Sequence, residues 1–318
     1  MAGLDLRVRL LRKLVARQSV ATKSPAELAA LQQRPVPHNR LTDLLLGGVA
    51  PGVSLRDGAV AGQTGPVPVR VYRPAGPGPF PLVVNFHGGG WTVGNLDTAD
   101  WLCSSVAAQA GVVVVSVEYR LAPAHPFPAA VEDCYAATVD IVARAAEFEA
   151  DGTRTAVIGD SAGGNLAAVV SLLARDRSGP AIAFQGLVYP ATDLTNGSPS
   201  IEENAHAPIL TKADMDAFRG HYLGDADPRD PLLSPLFAPD HTGLPRALVQ
   251  VAEHDPIRDD GLRYAEALQV AGVPVRTTTY VGMPHGFLAF PRICRSAPQA
   301  LAELCAEITD ALGSATTG

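Results

Sequence analysis

Gly159-Asp160-Ser161-Ala162-Gly163-Gly164 is the stretch on which the reading of this chain turns. Ahead of it, Thr155-Ala156-Val157-Ile158 is a short, apolar, partly β-branched run, the pattern of a buried strand. Behind it, Asn165 to Arg175 carries Leu166, Val170 and Leu173 on one helical face. A serine between two glycines at a strand-to-helix corner has a steric reason. The turn is so sharp that side chains two positions either side of the serine would collide, and glycine has none. The corner lifts the serine oxygen out of the sheet and leaves the unpaired N–H groups of the helix start beside it, ready to hold negative charge. A Gly-rich turn whose serine merely caps a helix is the plainer meaning of such a match. The strand before, the helix after and a second Gly-rich loop upstream weigh against that meaning.

Working outward, strand-like and helix-like runs alternate. Val67 to Tyr72, Leu82 to Phe86, Val112 to Val117 and Ala183 to Tyr189 read as strands, as do Arg246 to Ala252 and Val275 to Val281. Trp101 to Ala110, about Ala129 to Ala146, Gly261 to Ala271 and Ala297 to Leu312 read as helices. Such alternation predicts an α/β fold, a mostly parallel central sheet flanked by helices. The pattern lapses twice. Residues 1–52 look helical, with Leu4, Val8, Leu11 and Val15 at helical spacing and Ser24 as the cap of a helix from Pro25 to Gln33. Residues 191–235 are loop-rich, with one helix begun by Thr211 and Asp214, a capping-box-like pair. The expected organisation is a catalytic domain of 53–190 and 236–318 under a helical cap of 1–52 and 191–235.

Size suits one large α/β domain with such a cap, and 47% hydrophobic content in 318 residues supplies ample core. With 25 Lys and Arg against 32 Asp and Glu, the net charge is −7, and there is no basic run. Nucleic acid and stable membrane association are therefore not expected. Cys103, Cys134, Cys294 and Cys305 are scattered without metal-like spacing and read as buried thiols in a reducing compartment. Charges from Asp5 to Arg17 interrupt any signal-peptide core, and no apolar run approaches the roughly 18 residues of a membrane span. A cytoplasmic protein is expected. Neither H-E-x-x-H nor G-x-x-x-x-G-K-[ST] occurs, so no metal and no cofactor are expected.

A serine hydroxyl is a poor nucleophile near neutral pH unless an imidazole takes its proton, and a carboxylate must orient that imidazole. In α/β-hydrolases, which this alternation resembles, the order along the chain is serine, acid, histidine. Of eight histidines, only His285 follows the last candidate acid at a strand end, in Met283-Pro284-His285-Gly286-Phe287. Asp255, closing the run from Leu248, is the expected acid. Asp259 and Asp260 compete but look like helix-start acids, and Glu253 continues the strand. Upstream, His87-Gly88-Gly89-Gly90-Trp91 follows a strand. Backbone N–H groups of Gly88, Gly89 and Ala162 are expected to converge on the oxyanion of a tetrahedral intermediate.

Taken together these pieces resemble the hormone-sensitive-lipase-like (bacterial family IV) carboxylesterases of the α/β-hydrolase superfamily. The resemblance runs from about Val67 to Phe287. It rests on the His87–Trp91 loop, Tyr119-Arg120-Leu121-Ala122-Pro123, Gly159 to Asn165, Asp255-Pro256-Ile257-Arg258-Asp259 and His285-Gly286-Phe287. It implies a helical cap, activity on short acyl esters as small-molecule substrates, and catalytic roles for Ser161, Asp255 and His285. A homodimer through the C-terminal sheet edge would suit it. The chain departs from the family at Ala124, where an acidic residue is frequent. Two alternatives stay open: an amidase or deacetylase using the same residues, and a non-catalytic receptor on the same fold. Candidate pocket residues are Trp91, Tyr189, Ile209, Leu210, Phe218, Tyr222 and Phe287. Activity is expected to fall below roughly pH 6–7, where an ordinary imidazole becomes protonated.

Overall fold

The computed structural model describes residues 4, 7, 8, 19–37 and 39–313, without the side chains of 40, 41 and 44. After helical residues at Arg7 and Val8 come α1 (Pro25–Gln32) and α2 (Arg40–Leu46), then strands β1 (Val53–Ala61), β2 (Pro66–Pro74) and β3 (Phe80–Phe86). Next come α3 (Leu96–Ala110), β4 (Val113–Val117), α4 (Ala129–Ala143), β5 (Ala150–Asp160), α5 (Ala162–Asp176) and β6 (Phe184–Val188). After the short α6 (Pro199–Glu203) and α7 (Lys212–Tyr222), the chain continues through β7 (Arg246–His254), α8 (Arg258–Val270), β8 (Val275–Pro284) and α9 (Ala297–Leu312).

All eight strands form one sheet in the order β1-β2-β4-β3-β5-β6-β7-β8. The β1–β2 and β2–β4 pairs are antiparallel and the rest parallel. Central strands β3 and β4 are buried at every position, which their uninterrupted apolar runs require. Strand β1 had no sequence signal. It is an edge strand whose residues are almost all solvent-facing, so Ser54, Arg56, Asp57 and Gly58 break any alternation. Leu4 and Val8 are buried; Val8 is helical, whereas Leu4 stands outside a helix. Leu11 and Val15 lie outside the described residues. All four cysteines are buried.

The register brings several strand ends to one edge. Phe86 pairs with Gly159, Asp160 with Val188 and His254 with Pro284. Residues 87–91, 161, 255 and 285, each just beyond a strand, therefore meet at the carboxyl edge, where open α/β sheets place their sites. Described residues of both helical stretches make contacts at that edge. Gln32 Nε2 donates to the carbonyls of Thr92 (2.8 Å) and Ala122 (2.9 Å). Helix α7 starts with the Thr211–Asp214 capping box, and Asp214 also accepts from Ser19 Oγ at 2.5 Å. Leu210 and Met215 pack with Ile201 and Ile257 in a separate apolar cluster. No helix among the described residues is long and apolar enough to cross a membrane.

Candidate active site

Ser161 stands between β5 and α5 with φ 55° and ψ −117°, a conformation that costs a non-glycine residue on the order of 1–3 kcal/mol. Neighbours enforce it. A Cβ on Gly159 would lie 2.2 Å from the Gly163 carbonyl oxygen, and one on Gly163 would lie 1.9 Å from that of Phe86. The Ser161 amide donates to the Val188 carbonyl (2.8 Å), tying the corner to β6. Asn165, one turn into α5, donates to the carbonyls of Ala191 and Leu233, both at 2.7 Å.

His285 follows β8 in a loop that brings its Nε2 to 2.9 Å from Ser161 Oγ. Its Nδ1 lies 2.8 Å from Asp255 Oδ2, and Asp255 is fully buried at the end of β7. A carboxylate at that distance fixes the proton on Nδ1, which leaves Nε2 bare to accept from the serine. Asp255 Oδ1 accepts the Ile257 amide (2.9 Å), so the acid is itself held. The rival acids are occupied elsewhere. Glu253 accepts the Gly282 amide, Asp259 the Ser200 amide and Asp260 the Ser198 hydroxyl.

The Gly-rich loop departs from expectation at one residue. The Gly88 amide already donates to Asp160 Oδ1 (2.8 Å), so it is not a free donor. Gly89, Gly90 and Ala162 line the same cavity as Ser161 and carry backbone N–H groups with no acceptor among the described residues; Gly88 does not line it. Burial raises the Asp160 carboxyl above its ordinary range, an effect that the Gly88 amide and the His285 ring partly offset. His87 is stacked on Tyr119 (ring centroids 4.4 Å), and Tyr119 donates to the His87 carbonyl (2.7 Å). Burial pushes the His87 imidazole down to about 4, against the opposing pull of the Gly88 carbonyl.

Ser161 and His285 open into a cavity of about 240 Å³ whose wall includes Trp91, Ile209, Leu210 and Phe218. Phe287 and Tyr189 correct the expected pocket. Phe287 is core, packed on Tyr189 and Tyr280, because the loop after β8 turns its ring inward. Tyr189 sits against the His285 ring (4.8 Å) and lines a neighbouring cavity of about 310 Å³ behind the Gly-rich loop. Tyr222 supports the wall from outside, stacked on Trp91 at 4.4 Å and 2°. Sequence reasoning missed Met215 and Arg219, which α7 turns into the cavity. Their spacing of four is the only signal, and it does not say which face looks inward. Among the described residues no group of three His, Cys, Asp or Glu side chains could hold a metal ion.

A serine on a strained strand-to-helix corner, in hydrogen-bonding line with a histidine and a buried aspartate at the carboxyl edge of a mostly parallel sheet, is the arrangement of an α/β hydrolase. A family model described as alpha/beta hydrolase fold matches residues 83–289. The chain belongs to that family, in its hormone-sensitive-lipase-like branch. It is 49% identical over 243 residues to the carboxylic ester hydrolase LipN of Mycobacterium tuberculosis, which covers 74% of this chain and 65% of that one, just under two thirds. Esterase LipI of the same organism is 43% identical over 266 residues, 82% of this chain and 83% of that one. Among solved structures, the ester-hydrolase EH1AB1 from the Lake Arreo metagenome superposes with a TM-score of 0.89 at 37% identity, covering 98% of this chain and 100% of that one.

Proposed function

We propose that this chain is a serine esterase that hydrolyses small carboxylic esters through an acyl-enzyme on Ser161. The observation that carries the reading is the unbroken hydrogen-bonded line from Asp255 through His285 to Ser161, at 2.8 and 2.9 Å. His285 Nε2 takes the hydroxyl proton as the oxygen attacks the ester carbonyl, and Asp255 steadies the imidazolium that forms. The carbonyl oxygen, now negative, is held by the N–H groups of Gly89, Gly90 and Ala162, with the α5 N-terminus behind them. The imidazolium returns its proton to the departing alcohol. Water then repeats the cycle on the acyl-enzyme. A cavity of about 240 Å³, walled by Trp91, Ile209, Leu210 and Phe218, suits a short acyl or alkoxy arm. The described residues before β1 and the stretch 191–235 act as the cap that closes it.

The test is turnover of 4-nitrophenyl acetate. The wild-type chain is expected to hydrolyse it, and Ser161→Ala to lose activity on the order of 10⁶-fold, the scale of a lost nucleophile serine. Turnover retained in that variant would remove Ser161 from the mechanism.

A further inference from the structure

Arg219 lies on α7, in the wall of the cavity that holds Ser161 and His285. Its Nε donates to the Leu194 carbonyl at 2.8 Å, which fixes the guanidinium plane. Neighbouring arginines are paired: Arg258 with Glu203 (2.9 Å) and Asp259 (2.8 Å), Arg263 with Asp193 (2.6 Å). Arg219 forms no ion pair with any described residue, and its two Nη groups have no protein acceptor among them.

The acids that share the cavity form no ion pair with Arg219. Asp193 is bound on one oxygen by Arg263 and on the other by the Thr195 amide and hydroxyl. Asp260 is buried against Ser198, and burial pushes its carboxyl well above the ordinary range, toward the neutral form. Asp160 is engaged by the Gly88 amide. Phe218 and Met215 flank Arg219 on the same helix and line the same wall, so the guanidinium stands among apolar surfaces that strengthen its field. A planar fork with one donor already anchored loses little entropy on pairing and matches a carboxylate in two parallel hydrogen bonds.

We propose that Arg219 is a specificity-determining residue that binds a free carboxylate on the substrate, so that the preferred esters are half-esters of dicarboxylic acids. The assignment rests on the esterase reading above. In such a substrate the ester carbonyl sits at Ser161 while the distal carboxylate reaches α7, and the apolar wall takes the methylenes between.

The experiment compares monomethyl glutarate with methyl valerate, which share the methyl alcohol and a five-carbon acyl chain, by pH-stat titration. The proteins are wild type, Arg219→Lys and Arg219→Met, each checked by its thermal melt. Wild type is expected to favour the carboxylated ester in kcat/KM. Arg219→Met is expected to lose that ester about ten- to hundredfold more than it loses methyl valerate, the worth of a hydrogen bond to a charged group. Arg219→Lys keeps part of the preference, and added salt erodes it in wild type. Equal effects of Arg219→Met on both esters, or a wild-type preference for methyl valerate, would overturn the assignment. Calorimetric titration of monomethyl glutarate into Ser161→Ala supplies a readout without turnover. Binding there that is lost in the Ser161→Ala, Arg219→Met double variant supports the assignment, and binding that is absent or insensitive to residue 219 refutes it. Failure to hydrolyse either ester or 4-nitrophenyl acetate would strike the esterase reading instead.

Discussion

Asp160 holds two parts of the site at once, since its backbone leads into Ser161 and its carboxylate accepts the Gly88 amide 72 positions away. That bond sets the direction of the following amides, Gly89 and Gly90. Asp160→Ala is expected to lower kcat for 4-nitrophenyl acetate by ten- to about 10³-fold with KM little changed, because misplaced donors cost transition-state stabilisation. Asp160→Asn keeps an acceptor oxygen and should lose less; equal losses in both variants would assign the effect to the charge. His87 gives a second test at this scale. Its folded value near 4 lies below the ordinary 6.5, so below pH 6.5 the unfolded chain takes up a proton that the folded chain refuses. Its contribution is fully present above that pH and is lost as pH falls toward 4. Linkage puts the loss at about 2 kcal/mol between pH 7.5 and pH 5. Urea unfolding at both pH values should show a smaller drop for His87→Asn, and an equal drop would mean that His87 titrates normally. The meeting of Ser161, Asp255 and His285 was legible because each follows a strand in the expected order. The bond from the Gly88 amide to Asp160 was not legible, because that partner is a tertiary one, invisible in a run of three glycines.

Among elements, α7 matters most for the chemistry, since it rests directly on the Gly-rich loop. A Cβ on Gly90 would lie 2.3 Å from the Phe218 ring, and Trp91, at φ 56°, is held by its stack on Tyr222. At its other end α7 is pinned to the N-terminal segment through Asp214 and Ser19. Tyr222→Leu removes the stack, worth about 0.5–1.5 kcal/mol beyond its area, and should lower both stability and kcat. Tyr222→Phe is expected to be neutral or stabilising by about 1 kcal/mol, because the buried Tyr222 hydroxyl has no partner among the described residues. Urea unfolding of the two variants checks both; a costly Tyr222→Phe would reveal a hydrogen bond at that hydroxyl. Helix α7 itself was legible from Thr211 and Asp214, whose side chains announce its start. Its inward face was legible only at Phe218, because Met215 and Arg219 acquire their meaning only against the loop beneath them. Strand β1 escaped notice for the opposite reason: with hardly any buried residue, it has no apolar period to read.

At the scale of the whole molecule, the sheet converts sequence order into spatial convergence. Parallel strands put every strand-to-helix turn at one edge, so residues 124 and 30 positions apart become hydrogen-bonded neighbours of His285. That much follows from the alternation of strands and helices, which is why the fold was readable from one chain. Cavity shape was not, since it depends on how 191–235 folds back over the edge, and loops of that kind carry no period. The central claim is that Ser161 becomes covalently acylated, and active-site labelling tests it most directly. Treatment with an organophosphate, followed by intact-mass and peptide-mass spectrometry, should add one phosphoryl group per wild-type chain, on the peptide holding Ser161. Ser161→Ala should take up none, and His285→Ala should react far more slowly. Label carried at the same rate by the Ser161→Ala chain, or none on a wild-type chain that still hydrolyses 4-nitrophenyl acetate, would contradict the mechanism.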